Sequence, residues 1–131
     1  MGLEKLGYLT GLTHDMGKAA RDFQSRVCGE TDRRVNHSSA GMRWLREKGR
    51  AGKSSKYLAA QMAALAVGCH HGCRCDMISP LGHESWRDHI SSEGAKKHYE
   101  ESVRRFFAEV LPEALSLIHI SEPTRHAQLS Y

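Results

Sequence analysis

Apolar positions recur at helical spacing along nearly the whole chain. Leu3, Leu6 and Leu9 follow one another at three-residue steps, with Leu12 continuing the stripe toward His14, and predict a first helix. Gly17 is expected to end or bend it. A second helix is expected from Ala19 to Cys28, where Gly29 can take the left-handed conformation that closes a helix. Ser38 or Ser39 can cap a third, which carries Met42 and Leu45 and closes at Gly49. After a basic loop, Arg50 to Lys56, Ser54 or Ser55 starts a fourth helix. It has Leu58, Met62, Leu65 and Cys69 on one face, with Ala59, Ala63 and Ala66 beside them. Small alanines let another helix approach closely, so this helix is expected at the centre, ending near Gly72.

Ser79-Pro80 and Gly82 mark Cys73 to Gly82 as a loop. A short helix covers His83 to Ile90, and Ser91 or Ser92 caps a longer one through Leu111. Its apolar face is Tyr99, Val103, Phe106 and Val110, at spacings of four, three and four. Trp44, Trp86, Phe106 and Phe107 read as core rather than as base-stacking residues. No repeat and no convincing strand precedes residue 115, so the fold class is all-α, a helical bundle over residues 1–115. The segment from Ser116 to Tyr131, SLIHISEPTRHAQLSY, breaks the pattern. It resembles translated sequencing-adaptor DNA and is expected to be a non-native tail, with a short C-terminal strand as the competing reading. His119 and His126 are therefore left out of any site.

The chain has 131 residues, enough for one domain, and its 40% apolar and 26% charged residues are those of a globular protein rather than a disordered one. The longest apolar stretch, Tyr57 to Val67, is short and interrupted by Gln61, which excludes a spanning helix there. Glu4 and Lys5 break up the N-terminal segment, so a secretory signal is not expected and the cytoplasm is the expected location. The four cysteines, Cys28, Cys69, Cys73 and Cys75, are then expected as thiols. Residues 1–56 hold 12 basic and 6 acidic side chains, which concentrates the net positive charge in the first half. That excess fits a solvated face and a phosphate-backbone track equally well.

Nine histidines change the picture more than the charge does, because imidazole is a common metal ligand. Three clusters stand out: His14-Asp15 in GLTHDMGK with Lys18 following, His37 in NHSSAG, and His70-His71-Gly72 at the end of the fourth helix. Imidazole with carboxylate suits Mn, Fe, Co, Ni or Zn, and a carboxylate can bridge two ions. Two such ions can stabilise both the attacking and the leaving oxygen in phosphodiester cleavage. Adjacent residues in mid-helix point about a hundred degrees apart, but at a helix terminus the second can turn inward. Lys18 lies one turn beyond His14, where an ammonium can hold a phosphate as a point charge. Each cluster alone is commonly structural; their combination and order carry the signal.

That combination resembles the HD superfamily, and specifically the HD nuclease that accompanies the helicase of type I CRISPR effectors. The resemblance runs from about Leu6 to Ile90. It is carried by Gly11-Leu12-Thr13-His14-Asp15-Met16-Gly17-Lys18 with Phe23-Gln24, by His37-Ser38 with Ala40-Gly41, by His70-His71-Gly72, and by Asp76 to Pro80 with Gly82. It implies an HD-domain helical bundle and a nuclease of antiviral defence that cleaves single-stranded DNA with two divalent ions (Mn, Fe, Co, Ni or Mg). Asp15 would bridge the ions. His37, His70 and His71 would complete one shell, and His14 would belong to the other. Lys18 would contact the scissile phosphate, and Ser38 would support the substrate site through hydrogen bonds. The implied partners are single-stranded DNA, a fused or separate helicase, and the CRISPR surveillance complex, with no membrane.

Related domains also carry a histidine on a helix upstream of the HD pair and a late aspartate, both serving the ion that His14 binds. Neither has a counterpart here, so the resemblance implies an incomplete bundle truncated at both ends, with one metal shell nearly whole and the other half-empty. Two other readings use the same residues. One is an HD phosphohydrolase of nucleotides or cyclic dinucleotides. The other is a zinc-binding interaction module built on Cys69, Cys73 and Cys75 with His70 or His71, although their spacing lacks paired C-x-x-C knuckles.

Overall fold

A computed structural model describes residues 2–52, 55–72 and 79–112, and every structural statement below concerns those residues. They form six α-helices: α1 Leu3–Thr13, α2 Arg21–Val27, α3 Ser38–Gly49, α4 Ser55–Gly68, α5 Ser85–Ser91 and α6 Glu93–Arg105. A 3₁₀ turn, Met16–Ala19, links α1 to α2, and a π-helical turn, Phe106–Val110, extends α6. No strand occurs among the described residues, as the periodicity predicts. None of their helices is long and apolar enough to cross a membrane. The boundary expected near Leu115, the tail, Cys73 and Cys75 lie outside the described residues.

The core has two parts. Met42, Leu45, Ala63, Ala64, Val67 and Trp86 form one, and Met16, Ala19, Ala40, Tyr99 and Phe106 form the other. Helix α3 supplies residues to both, so α3 rather than α4 is the central helix. Burying a side chain such as Leu45 stabilises the fold by about 1.5–3 kcal/mol, and Leu45 is buried together with Met42 and Val67.

The buried face of α4 also differs from the expectation. Leu58 and Met62 are 60% and 62% exposed, whereas Gln61, Ala63, Ala64, Val67 and Gly68 are buried. The reason is the closeness of α3. A Cβ added at Gly49 would collide with Ala60, and one added at Gly41 would lie 2.9 Å from Val67 Cγ1. Only the small-residue face of α4 fits against that surface, so its larger side chains turn outward.

Three helix ends depart in detail from the sequence reading. His37 occupies the N-cap of α3, and the side-chain oxygen of Asn36, not Ser38 or Ser39, accepts the Ser39 N–H at 3.2 Å. Ala19 belongs to the 3₁₀ turn, so α2 begins at Arg21, but Gly29 does adopt the left-handed conformation (φ 76°) after it. At the end of α6, the Leu111 N–H bonds Phe106 O, five residues back. This widened turn breaks the stripe: Phe106 stays buried while Val110 is 43% exposed. Ser92 caps α6 as expected, accepting the Ala95 N–H at 3.3 Å. Trp86 and Phe106 are core; Trp44 is only partly buried, and Phe107 is 40% exposed.

Candidate metal centre

Three chain segments meet at the site. The first is the turn after α1, where His14 caps the helix and Asp15 precedes the 3₁₀ turn. The second is His37, at the head of α3. Its carbonyl accepts the Gly17 N–H at 3.1 Å, which ties this segment to the turn. The approach is possible because Gly17 has no side chain: a Cβ there would lie 2.5 Å from His37 Cα and 2.6 Å from its carbonyl carbon. The third is His70-His71, in the turn that leaves α4. Gly72 supplies its positive φ of 76°, and the Gly72 N–H bonds Cys69 O at 2.9 Å.

These segments bring Asp15, His37, His70 and His71 together, with one ligand atom of each lying within 4.8 Å of the others. Asp15 faces two ways. Its Oδ1 lies 3.5 Å from His70 Nε2 and 3.6 Å from His37 Nε2, while Oδ2 lies 3.0 Å from His14 Nε2 and 2.8 Å from Lys18 Nζ. The His37 and His71 Nε2 atoms are 2.6 Å apart, two ring nitrogens aimed at one point. Ring centroids of His70 and His71 stand 4.0 Å apart, so the second imidazole does turn inward at the helix end.

The backbone orients two of these rings. His70 Nδ1–H donates to Val67 O at 2.6 Å, and His14 Nδ1–H donates to Gly11 O at 2.5 Å. Each turns Nε2 toward Asp15, the arrangement by which a metal-binding imidazole is oriented through its other nitrogen. Burial pushes the His37 imidazole below its ordinary value. Asp15 pulls it back, and the like charges of His71, Lys18 and His70 push it down again, so the neutral form is favoured. For Asp15, burial raises the carboxyl, but the Lys18 hydrogen bond and the charges of His14, Lys18 and His37 outweigh it and hold the group below the ordinary carboxylate range.

A divalent cation fits this donor set. Asp15 Oδ1 is buried and has no hydrogen-bond partner, although nitrogens of two imidazoles lie just beyond bonding distance. A buried anionic oxygen without a partner is costly, and a cation among these imidazole nitrogens would compensate it. One carboxylate with three imidazoles suits a first-row transition ion.

Other predicted residues are placed as follows. His14 lies on the opposite side of the carboxylate and outside the four-residue group. Lys18 pairs with Asp15 and borders a cavity of about 380 Å³ walled by Leu12, Gln24 and Phe106. Gln24 donates to Lys18 O at 2.7 Å, and the Phe23 ring meets His37 edge-on at 5.3 Å. Ser38 is buried and does not reach this cluster. Its hydroxyl donates to Asn36 Oδ1 at 3.3 Å and accepts from His89 Nε2 at 2.9 Å. Cys69 is a free thiol outside the group.

Sequence reasoning missed Asn36 and His89, which together brace the backbone that carries His37. Asn36 was findable as an Asx residue just ahead of a helix. His89 lies 51 residues from Ser38, and no local pattern marks it.

An all-helical domain in which three more imidazoles gather around an HD pair has the arrangement of an HD-type domain. The family model described as Cas3, HD domain, matches residues 3–130, a span that includes the segment from Ser116 onward. The chain therefore belongs to the Cas3 HD domain family, that of CRISPR-associated HD nucleases. No curated protein and no solved structure matches it.

Proposed function

We propose that this chain hydrolyses phosphodiester bonds of single-stranded DNA in CRISPR interference, beside a helicase domain or subunit that supplies the strand. Family membership supports the reaction class, and the observation that carries the reading is the partnerless Asp15 Oδ1 among three imidazoles. Asp15, His37, His70 and His71 would hold one divalent ion, and the other Asp15 oxygen, with His14, would face a second. Such ions, when bound, polarise a phosphate and lower the pKa of water.

The chain's own residues do the rest. Val67 O and Gly11 O orient the His70 and His14 rings so that Nε2 of each faces Asp15. Lys18 pairs with the Asp15 carboxylate, and both residues line the cavity walled by Leu12 and Phe106. There the ammonium is placed to meet the charge that grows on a phosphate oxygen during hydrolysis. Asn36 and His89 hold the head of α3, and so His37, in register.

The experiment supplies the purified chain with Mn²⁺ or Ni²⁺ and offers single-stranded DNA, nucleoside triphosphates and cyclic dinucleotides side by side. DNA fragmentation that disappears in Asp15→Ala supports the reading. Intact DNA with hydrolysed nucleotides would replace it by a phosphohydrolase.

A further inference from the structure

A second charged feature lies away from the cluster. Arg43 and Arg46 of α3 and Arg50, which caps its end, follow at steps of three and four residues and line a groove of about 540 Å³ together with Lys96 of α6. Arg43 and Arg50 are seven residues apart, about 10 Å along the axis.

Two of the guanidinium groups are held by aromatic rings. Arg46 Cζ lies 3.3 Å from the Trp86 ring centroid, and Arg43 Cζ lies 4.0 Å from that of Tyr99. Contact with a ring restrains each guanidinium and covers one face of that ring. Two acids line the groove as well, Glu100 and Glu47; of these Glu47 is already engaged, accepting from Arg43 Nε at 2.9 Å and from the Tyr99 hydroxyl at 2.6 Å, so four cations outnumber two carboxylates there. Among the described residues Arg46, Arg50 and Lys96 make no ion pair. Arg46 Nη1 is buried without an acceptor. Burial above all holds that guanidinium below its ordinary value, with the like charges of Arg50 and Arg87 adding to it against the opposing pull of Tyr57 and Glu84. Cations crowded in this way favour an anion that spreads negative charge along the row.

We propose that this arginine-lined groove binds successive backbone phosphates of a single DNA strand, independently of base sequence. The inference rests on the nuclease reading above. It is favoured over an acidic peptide by continuity, because both walls start beside the metal centre. His37 caps the start of α3, and Arg43 follows about 9 Å along the axis. On the opposite wall Ile90 and Ser91 directly follow His89, which bonds Ser38. A strand with one phosphate at Asp15 has further phosphates to place along that course, and planar guanidinium forks match phosphate oxygens two at a time.

The test measures binding of a fluorescent oligothymidylate to the full chain by anisotropy, with EDTA present so that hydrolysis plays no part, across about 50–200 mM salt. Arg50→Gln with Lys96→Gln, both at exposed positions, is compared with Lys5→Gln and Arg26→Gln, which remove equal charge elsewhere. Each lost phosphate contact on a single strand lowers the slope of log K against log salt by about 0.7. The groove pair is therefore expected to lower it by about 1.4, and the distant pair to leave it nearly unchanged. Equal effects from both pairs would overturn the groove, as would a polyglutamate peptide that depends on Arg50 and Lys96 when DNA does not. If the metal-loaded chain cuts DNA yet the groove pair binds with an unaltered slope, the groove fails and the nuclease reading stands. If the wild-type chain binds no DNA in EDTA, the groove fails; the nuclease reading fails only if the metal-loaded chain also leaves DNA intact.

Discussion

Replacing Gly17 by alanine tests whether the turn after α1 and the head of α3 are locked together. Gly17 does not adopt a positive φ, so alanine is allowed by the local backbone and would ordinarily stabilise by about 0.4–1 kcal/mol. The structure reverses that sign. The new methyl would stand 2.5 Å from His37 Cα and 2.6 Å from its carbonyl carbon, both backbone atoms, so the segments must separate by nearly an ångström. Overpacking of this kind costs about 1–3 kcal/mol, and stretching the 3.1 Å hydrogen bond from Gly17 N–H to His37 O adds about 0.5–1.5 kcal/mol. Allowing for the ordinary gain, a net loss of about 2 kcal/mol is expected. Because His37 moves with its backbone, Mn²⁺ affinity is expected to fall about 10–100-fold, the usual consequence of disturbing the supports of a ligand. Urea unfolding and calorimetric Mn²⁺ titration read the two effects separately. Gly7→Ala, in α1 with nothing within 4 Å of the new methyl, serves as the control and is expected to stabilise. A Gly17→Ala protein as stable as that control, with wild-type metal affinity, would refute the reasoning.

Tyr99→Phe removes the 2.6 Å hydrogen bond to Glu47, part of what pushes the phenol far above its ordinary value after burial; with Glu47 partly exposed, a loss of about 1 kcal/mol in denaturant unfolding is expected. Burial also holds His89 below the ordinary histidine value, so the unfolded chain takes up the proton first. The stability His89 contributes is therefore complete above about pH 6.5 and declines as pH falls through the lowered folded value. His89→Gln is expected to flatten that part of a stability–pH curve measured between pH 7.5 and 5, and an unchanged curve would count against it. Saturating Mn²⁺ at a hundredfold excess over its dissociation constant is expected to stabilise the wild-type chain by about 2.7 kcal/mol, and EDTA to remove the gain.

The helices were legible because each carries a periodic apolar stripe or a capping signal, and the histidine clusters because their residue types are uncommon in that order. What the sequence did not show depends on which neighbour each face meets. Leu58 and Met62 make the most hydrophobic stripe of α4, yet the glycines of α3 select its alanine side, a choice no local pattern records. The same holds at the site. His14 and Asp15 announce themselves, but the carboxylate's division between His14 with Lys18 and His37 with His70 arises from three segments far apart in sequence. The bracing by His89 is equally nonlocal. The 3₁₀ turn and the π-helical turn are backbone adjustments to packing, and residue spacing alone does not encode them.

Equilibrium binding of Mn²⁺, measured by titration calorimetry on the wild-type chain and on Asp15→Ala, Asp15→Asn and His71→Ala, bears most directly on the convergence of these side chains on one cation. Uptake by the wild type that is abolished in both Asp15 variants and sharply weakened in His71→Ala is the predicted result. Equal uptake by all four proteins, or uptake lost only when Cys69 is replaced, would contradict it.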